Sequence, residues 1–253
     1  MNHKISNYSK TFENKRRINP RIYDVDYLLL TGLARVVKLF SNKHVLKGNV
    51  IIDMGCGAKP YRPLFPEDIK YVGVDVTMSN FADIVINPGE PVPLADSFTD
   101  CIISTQVVYL IPDYKQYLLE CNRLLKIDGK LLITSHGTWT YHNASGGDYY
   151  RFTQDGMRYI LKKAGFEIEE LFPIIGTLGT GLHIRQLIFN SWLKKIPILG
   201  KYIANIYNIF TNFRIIIEDS LCTYGTRSSS PVIFAAIARK KIYINEPVFS
   251  KDK

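Results

Sequence analysis

The stretch VIIDMGCGAK (50–59) constrains this chain most: an apolar, β-branched run leads directly into a turn with two glycines. Three consecutive β-branched apolar residues, Val50 to Ile52, suit a strand covered on both faces, the condition of strands in parallel sheets coated by helices. Comparable runs follow at YVGVDV (71–76), ADIVI (82–86), DCIIST (100–105) and KLLITS (130–135). Helical periodicity appears between and around them. It runs over DVDYLLLTGLARVVKLF (24–40), over YKQYLLECNRLLK (114–126) ahead of Asp128-Gly129, and over RFTQDGMRYILKKAGF (151–166). Two further strands are predicted at FEIEELFPI (166–174) and PVIFAAIAR (231–239). The order predicts an α/β, Rossmann-like architecture: a seven-stranded, mostly parallel sheet with helices on both faces. A helical insertion at 176–229 precedes the last strand.

Charge narrows the range of partners. The 253 residues carry a formal net charge of +9, which taken whole suggests a polyanionic partner. The charge is uneven, however. Residues 1–48 hold ten Lys/Arg against three Asp/Glu, residues 49–190 hold twelve against sixteen, and residues 191–253 hold ten against four. The centre is mildly acidic and the basic residues lie in the flanks, so no nucleic-acid partner is expected and a membrane surface is the alternative. Cys56, Cys101, Cys121 and Cys222 form no C-x-x-C pair and no zinc spacing, so they read as reduced thiols and no metal is expected. The polar N-terminus shows no secretory signal and no stretch is apolar enough to span a bilayer, which predicts a cytoplasmic protein.

In an open sheet of this kind, ligands bind at the carboxyl ends of the strands. Gly55 and Gly57 permit close approach of backbone to ligand, but Ala-Lys-Pro occupies positions 58–60, where a dinucleotide fingerprint has its third glycine. Asp53 at the strand end would repel a phosphate and suit a cation. Asp75 ends the next strand, 18 residues beyond Gly57, where a carboxylate can accept hydrogen bonds from ribose hydroxyls. The residues favour a positively charged nucleoside.

The D-x-G-x-G string after the first strand, the acid ending the second, GEPVPLADSFTDCIISTQVV and LLECNRLLKIDGKLLI together resemble the class I S-adenosylmethionine-dependent methyltransferases over roughly residues 49–175. The resemblance implies an S-adenosyl-L-methionine cofactor and a methyltransferase domain over 49–239, between an N-terminal arm and helix (1–48) and a tail (240–253). It implies that Asp53, Gly55 and Gly57 hold the methionine end of the cofactor and Asp75 the ribose, that Cys56 and Val76 are cofactor-binding neighbours, and that Ser104, Thr105 and Gln106 line the site. Asn87 stands near the position that often carries an adenine-binding Asp. The chain departs from the family at Tyr109-Leu110, where a Glu-His pair is common, and at Thr99-Asp100, where Phe-Asp is usual.

Acceptor residues are expected after the fifth strand. Residues 135–151 hold two His, one Trp, three Tyr, an Asp and an Arg, and resemble H-G-x-W-x-Y-H and D-Y-x-R-x-T strings of bacterial methyltransferases associated with polysaccharide and cell-envelope biosynthesis. Aromatic platforms with polar neighbours suit sugar rings. Methyl transfer to a hydroxyl draws much of its rate from alignment, and a base must take the proton. His136, at the strand end, is the first candidate, followed by His142 and Asp148. Trp139, Tyr141, Tyr149, Tyr150 and Arg151 are candidate substrate contacts, with an Arg151–Asp148 pairing as the structural reading of the last. The expected reaction is O-methylation of a sugar hydroxyl in a surface glycan or its lipid-linked precursor. The alternatives are a small-molecule acceptor such as a quinone or secondary metabolite, and a cofactor-binding protein without transfer activity.

Within the insertion, Lys201, Asn205, Asn208 and Asn212 form one polar stripe at helical spacing, and Ile, Tyr and Phe cover most of the remainder. Two readings follow for residues 186–221: a cap packed on the sheet or a second subunit, or an interfacial helix at the inner face of a membrane with Trp192, Lys194 and Lys195 at the boundary. The oligomeric state stays open.

Overall fold

The computed structural model describes residues 14–76, 81–142 and 147–241. The remainder of the predicted arm, the tail beyond Lys241 and the centre of the aromatic loop lie outside them. Seven strands form one sheet in the order β3-β2-β1-β4-β5-β7-β6. They are β1 (Val50–Met54), β2 (Lys70–Asp75), β3 (Ile84–Val85), β4 (Thr99–Thr105), β5 (Leu125–His136), β6 (Phe166–Ile174) and β7 (Ile233–Lys240). β1 through β5 run parallel, and β7 runs antiparallel between β5 and β6. The mostly parallel sheet read from the sequence is present, as is the helical segment between β6 and β7.

The helices are α1 (Tyr27–His44), α2 (Tyr114–Leu124), α3 (Gln154–Lys163), α4 (Thr177–Leu193), α5 (Gly200–Leu221) and α6 (Tyr224–Ser229). On one face of the sheet, Leu118, Cys121 and Leu124 of α2 and Met157 and Leu161 of α3 pack against Ile52, Ile102, Leu131 and Ile133. On the other, Leu33, Val36, Val37 and Phe40 of α1, with Leu182 and Ile215 of the insertion, cover Ile51, Ile103, Leu132 and Ile237. Alternate residues of one strand enter opposite layers, as the pleat requires, which is why apolar residues follow one another at Ile51-Ile52, Ile102-Ile103 and Leu131-Leu132-Ile133.

Local chemistry moves several boundaries. α3 begins three residues after Arg151 because the Thr153 hydroxyl caps the Gly156 N–H at 3.0 Å. α2 passes straight into β5 at Leu125, whose pairing with Thr99 starts before the Asp128-Gly129 turn. β3 is two residues long, where the sequence pattern predicts five. Its neighbour Asp83 uses a side-chain carboxylate to accept the Gly73 N–H at 2.7 Å, replacing a ladder bond.

The polar stripe of α5 points inward in part. Asn208 and Asn212 are 1% and 0% exposed. Asn208 donates to Asn190 Oδ1 and to the Tyr23 carbonyl, and Asn212 donates to the carbonyls of Ile22 and Asp24. Gln186 of α4 donates to the side-chain oxygens of both. These amides pin the insertion to the segment that precedes α1. Among the described residues, no helix is long and apolar enough to cross a membrane.

Candidate active site

Because β1, β2, β4 and β5 are parallel, Asp53, Asp75, Thr105 and His136 sit at the same edge of the sheet. Gly55 takes φ +74°, and a side chain there would meet Val107 Cγ2 at 2.4 Å, so both the turn and the packing demand glycine. The Gly57 N–H donates to Asp75 Oδ2 at 2.7 Å, locking the loop to the end of β2. Asp53 is buried, and Oδ2 accepts the Tyr71 hydroxyl at 2.7 Å while Oδ1 has no partner. Burial raises its pKa to about 7, against the opposing pull of the Tyr71 bond. A buried carboxyl with an orphaned oxygen beside an open glycine turn fits a cationic group. The ammonium and sulfonium of S-adenosylmethionine are groups of that kind.

The other predicted cofactor residues differ in setting. Cys56 is buried, its thiol pushed up to about 12 by desolvation, and packs near Gly73. Val76 is exposed at the end of β2. Asn87 lies past β3 and donates to Glu90 at 2.9 Å on the surface. Ser104 is buried with its hydroxyl 2.7 Å from that of Tyr117 on α2, whereas Thr105 is half-buried. Gln106 adopts φ +60° and turns its amide onto Thr134 Oγ1 at 3.0 Å, leaving Oε1 buried and unpartnered. The strand β4 thus ends in a strained residue at the site, a place where such strain recurs.

The aromatic segment is built around Tyr109, on the short turn after β4. Its ring lies 4.6 Å from that of His136 and 6.3 Å, edge-on, from that of His142, and the Arg151 guanidinium sits over it at 5.6 Å. Trp139 stacks on His136 at 5.1 Å with planes 2° apart, and His183 of α4 packs against Trp139 at 5.4 Å, tilted by 31°. Arg151 grips both oxygens of Asp148 at 2.5 and 2.6 Å and donates to the Thr140 carbonyl, while Asp148 accepts the His142 N–H at 2.7 Å. The D-Y-x-R string is therefore a clamp that ties two ends of one loop together. Tyr149 and Tyr150 donate their N–H groups to the Tyr109 carbonyl, and the Tyr150 hydroxyl donates to the Pro112 carbonyl. Tyr141 projects into solvent. Gly137 lets the loop turn against β7, since a Cβ there would stand 2.7 Å from the Pro231 carbonyl.

Electrostatics separates the proton acceptors. Desolvation, aided by the nearby Arg151 charge, lowers His136 to about 3. The Arg151 bonds lower Asp148 to about 2. Neither matches a base that works near neutral pH.

Several residues at the site lack a simple sequence signal. Tyr109 was legible only as a departure from a family pair. Lys59 follows the glycine turn and bonds Asp83 at 2.5 Å, and its stem passes over Gly73. Asn14 donates to the Ala58 carbonyl at 2.8 Å, and the Arg17 charge acts on Tyr61 and Tyr109, so the basic segment before α1 covers this edge. His183 is fully buried, with Nδ1 bonded to Gln186 and Nε2 unpartnered.

Residues 52–133, from β1 to β5, match the family model described as a methyltransferase domain. A search of curated proteins finds no match to the chain. Among solved structures, a sarcosine dimethylglycine methyltransferase assigned in Galdieria sulphuraria superposes with a TM-score of 0.54 at 15% identity, over 85% of this chain and 86% of that one. The [4+2]-cyclase SpnF gives 0.53 at 17% identity, over 83% and 81%. The Burkholderia thailandensis 1,6-didemethyltoxoflavin-N1-methyltransferase, solved with its acceptor and S-adenosylhomocysteine, gives 0.52 at 14% identity, over 82% and 78%. At these identities the structures establish the fold. The family match assigns a methyltransferase domain to residues 52–133, which include the glycine loop whose Gly57 N–H holds Asp75, and the sheet around them has the fold of the class I methyltransferases.

Proposed function

We propose that the enzyme O-methylates a sugar hydroxyl of a surface glycan or its lipid-linked precursor, working at the cytoplasmic side of a membrane. The observation that carries this reading is the Tyr109–His136–Trp139 stack at the carboxyl ends of β4 and β5, on the same sheet edge as the glycine loop. Tyr109 and His136 of the stack are themselves buried and form the floor of the loop, which leaves the exposed rings of Tyr141 and Tyr149 to take the apolar face of a sugar ring. The bound cofactor supplies an electrophilic methyl group on a sulfonium, with a neutral thioether as leaving group. The protein aligns the acceptor oxygen and accepts its proton. With His136 held at about 3 and Asp148 at about 2, His142 is the proposed base, its ring edge-on to Tyr109 and its backbone held by Asp148. His136 serves as a neutral stacking surface. Asp53, Gly55, Cys56, Gly57, Asp75 and Val76 are proposed to hold the cofactor, with Asn87 at the adenine end and Thr105 and Gln106 on the wall.

A small-molecule acceptor, such as a quinone, is the second reading. It is favoured by the Burkholderia structure, which holds 1,6-didemethyltoxoflavin beside S-adenosylhomocysteine, and by the aromatic character of the site. The cyclase shows that this architecture also hosts other chemistry, so transfer itself must be measured. Turnover of S-adenosylmethionine to S-adenosylhomocysteine should be assayed with envelope glycan fractions, lipid-linked sugars and small aromatic phenols. Turnover with the first two supports a glycan acceptor. Turnover confined to the phenols replaces it with the second reading, and cofactor binding without turnover removes both.

A further inference from the structure

The insertion is folded inside out. On α5 the inward positions are Ala204, Asn208, Thr211, Asn212 and Ile215. The outward positions are Tyr202, Ile203, Ile206, Phe210, Phe213, Ile216 and Ile217, with Phe210 72% exposed. A helix on a water-facing surface shows the opposite arrangement. The apolar face continues over Trp192 and Phe189 of α4 and over the tip between the helices, where Ile198 is 93% exposed. Contiguous exposed apolar surface of this kind marks an interaction site. The inward amides explain why the helix is held this way round. They are bonded to α4 and to the carbonyls of residues 22–24, so rotating the apolar face inward would break that network.

Charge identifies the occupant. From Thr177 to Ile217 there is no Asp or Glu, while Arg185, Lys194, Lys195 and Lys201 are exposed; Arg214 is paired with Glu218, which follows this stretch. An isologous pairing of two copies would set these cations against one another. An anionic bilayer surface accepts both features, with the apolar face in the acyl boundary, the lysines at the phosphates, and Trp192 and Tyr202 at the interface. We infer that the α4–α5 hairpin is an interfacial anchor that docks the enzyme on an anionic lipid surface without crossing it. This deepens the glycan reading, because a lipid-linked acceptor would be met at that surface, yet it is measured independently of any acceptor.

The test is co-sedimentation of the full chain with phosphatidylcholine vesicles, with and without phosphatidylglycerol. Binding to the anionic vesicles is expected, falling with salt. Ile198→Asp with Phe210→Asp should weaken it at least about tenfold, and Lys194→Gln and Lys195→Gln about fivefold each on anionic vesicles only. These side chains are exposed, so the melting temperature and cofactor binding should hold in all three variants. Failure of the wild-type chain to bind either vesicle overturns the inference. So does a concentration-dependent dimer, seen by sedimentation, that Phe210→Asp dissociates. Turnover with a soluble acceptor, measured in parallel, reports on the site alone, so either idea can fail without the other.

Discussion

Asp53 shows how one buried carboxyl couples fold, cofactor and pH. Its pKa of about 7 lies above that of an unfolded Asp, so its protonated form stabilises the fold. That contribution is complete below about pH 4 and is lost as pH rises through about 7. A cationic ligand favours the carboxylate, which gives the opposite trend for binding. Cofactor affinity should strengthen from about pH 6 to about pH 8, by up to about tenfold per unit below the pKa, with proton release visible by calorimetry in buffers of different ionisation enthalpy. Asp53→Asn should weaken binding and abolish the pH dependence. Across the site, His142→Gln should lower kcat by about 100-fold or more with cofactor affinity unchanged, as loss of a general base does. His136→Asn should act mainly on the acceptor KM, through the lost stack on Trp139. If His136→Ala and His142→Ala both leave turnover within a few-fold of wild type, histidine base catalysis is wrong. Residue types and their loop were legible in the sequence. Which histidine is buried between Tyr109 and Trp139, and so a weak base, depended on contacts between separate segments of the chain.

At the scale of elements, short strings act as mechanical ties. Arg123 of α2 donates to the carbonyls of Val92 and Leu94 and pairs with Glu120 and Asp96, while Glu120 accepts the Val92 N–H. The LLECNRLL string thus holds the loop before β4, and Arg123→Met should lower stability by about 1–3 kcal/mol in urea unfolding, the cost of leaving such partners unpaired. The glycine loop is more exacting. Gly55→Ala adds a side chain at positive φ and drives it into Val107, so a loss of about 2–4 kcal/mol is expected with impaired cofactor binding. Strand and helix identities followed from apolar periodicity, because burial on two faces leaves no room for polar alternation. Their ends did not, because Thr153 and Asp83 set them with side-chain bonds to backbone.

For the whole molecule, the insertion, the segment before α1 and the aromatic stack form one connected body. Asn212 joins α5 to residues 22 and 24, and His183 of α4 packs on Trp139. Asn212→Leu should therefore cost about 2–4 kcal/mol, since it strands buried carbonyls and the Gln186 amide, whereas Asn205→Leu on the same helix should be near neutral. Chemical denaturation of both variants checks the difference. By itself the sequence determined the buried strands, the glycine loop and the acidic strand ends, whereas the cofactor was implied by a family resemblance. Each of these is written in a local pattern whose physical demand, two-faced burial or a positive φ, is met by adjacent residues. Only the tertiary structure decided which face of α5 meets solvent. Periodicity shows that a helix has two faces. Which one turns inward depends on whether the amides find partners, and theirs lie on α4 and nearly the whole chain away, at residues 22–24.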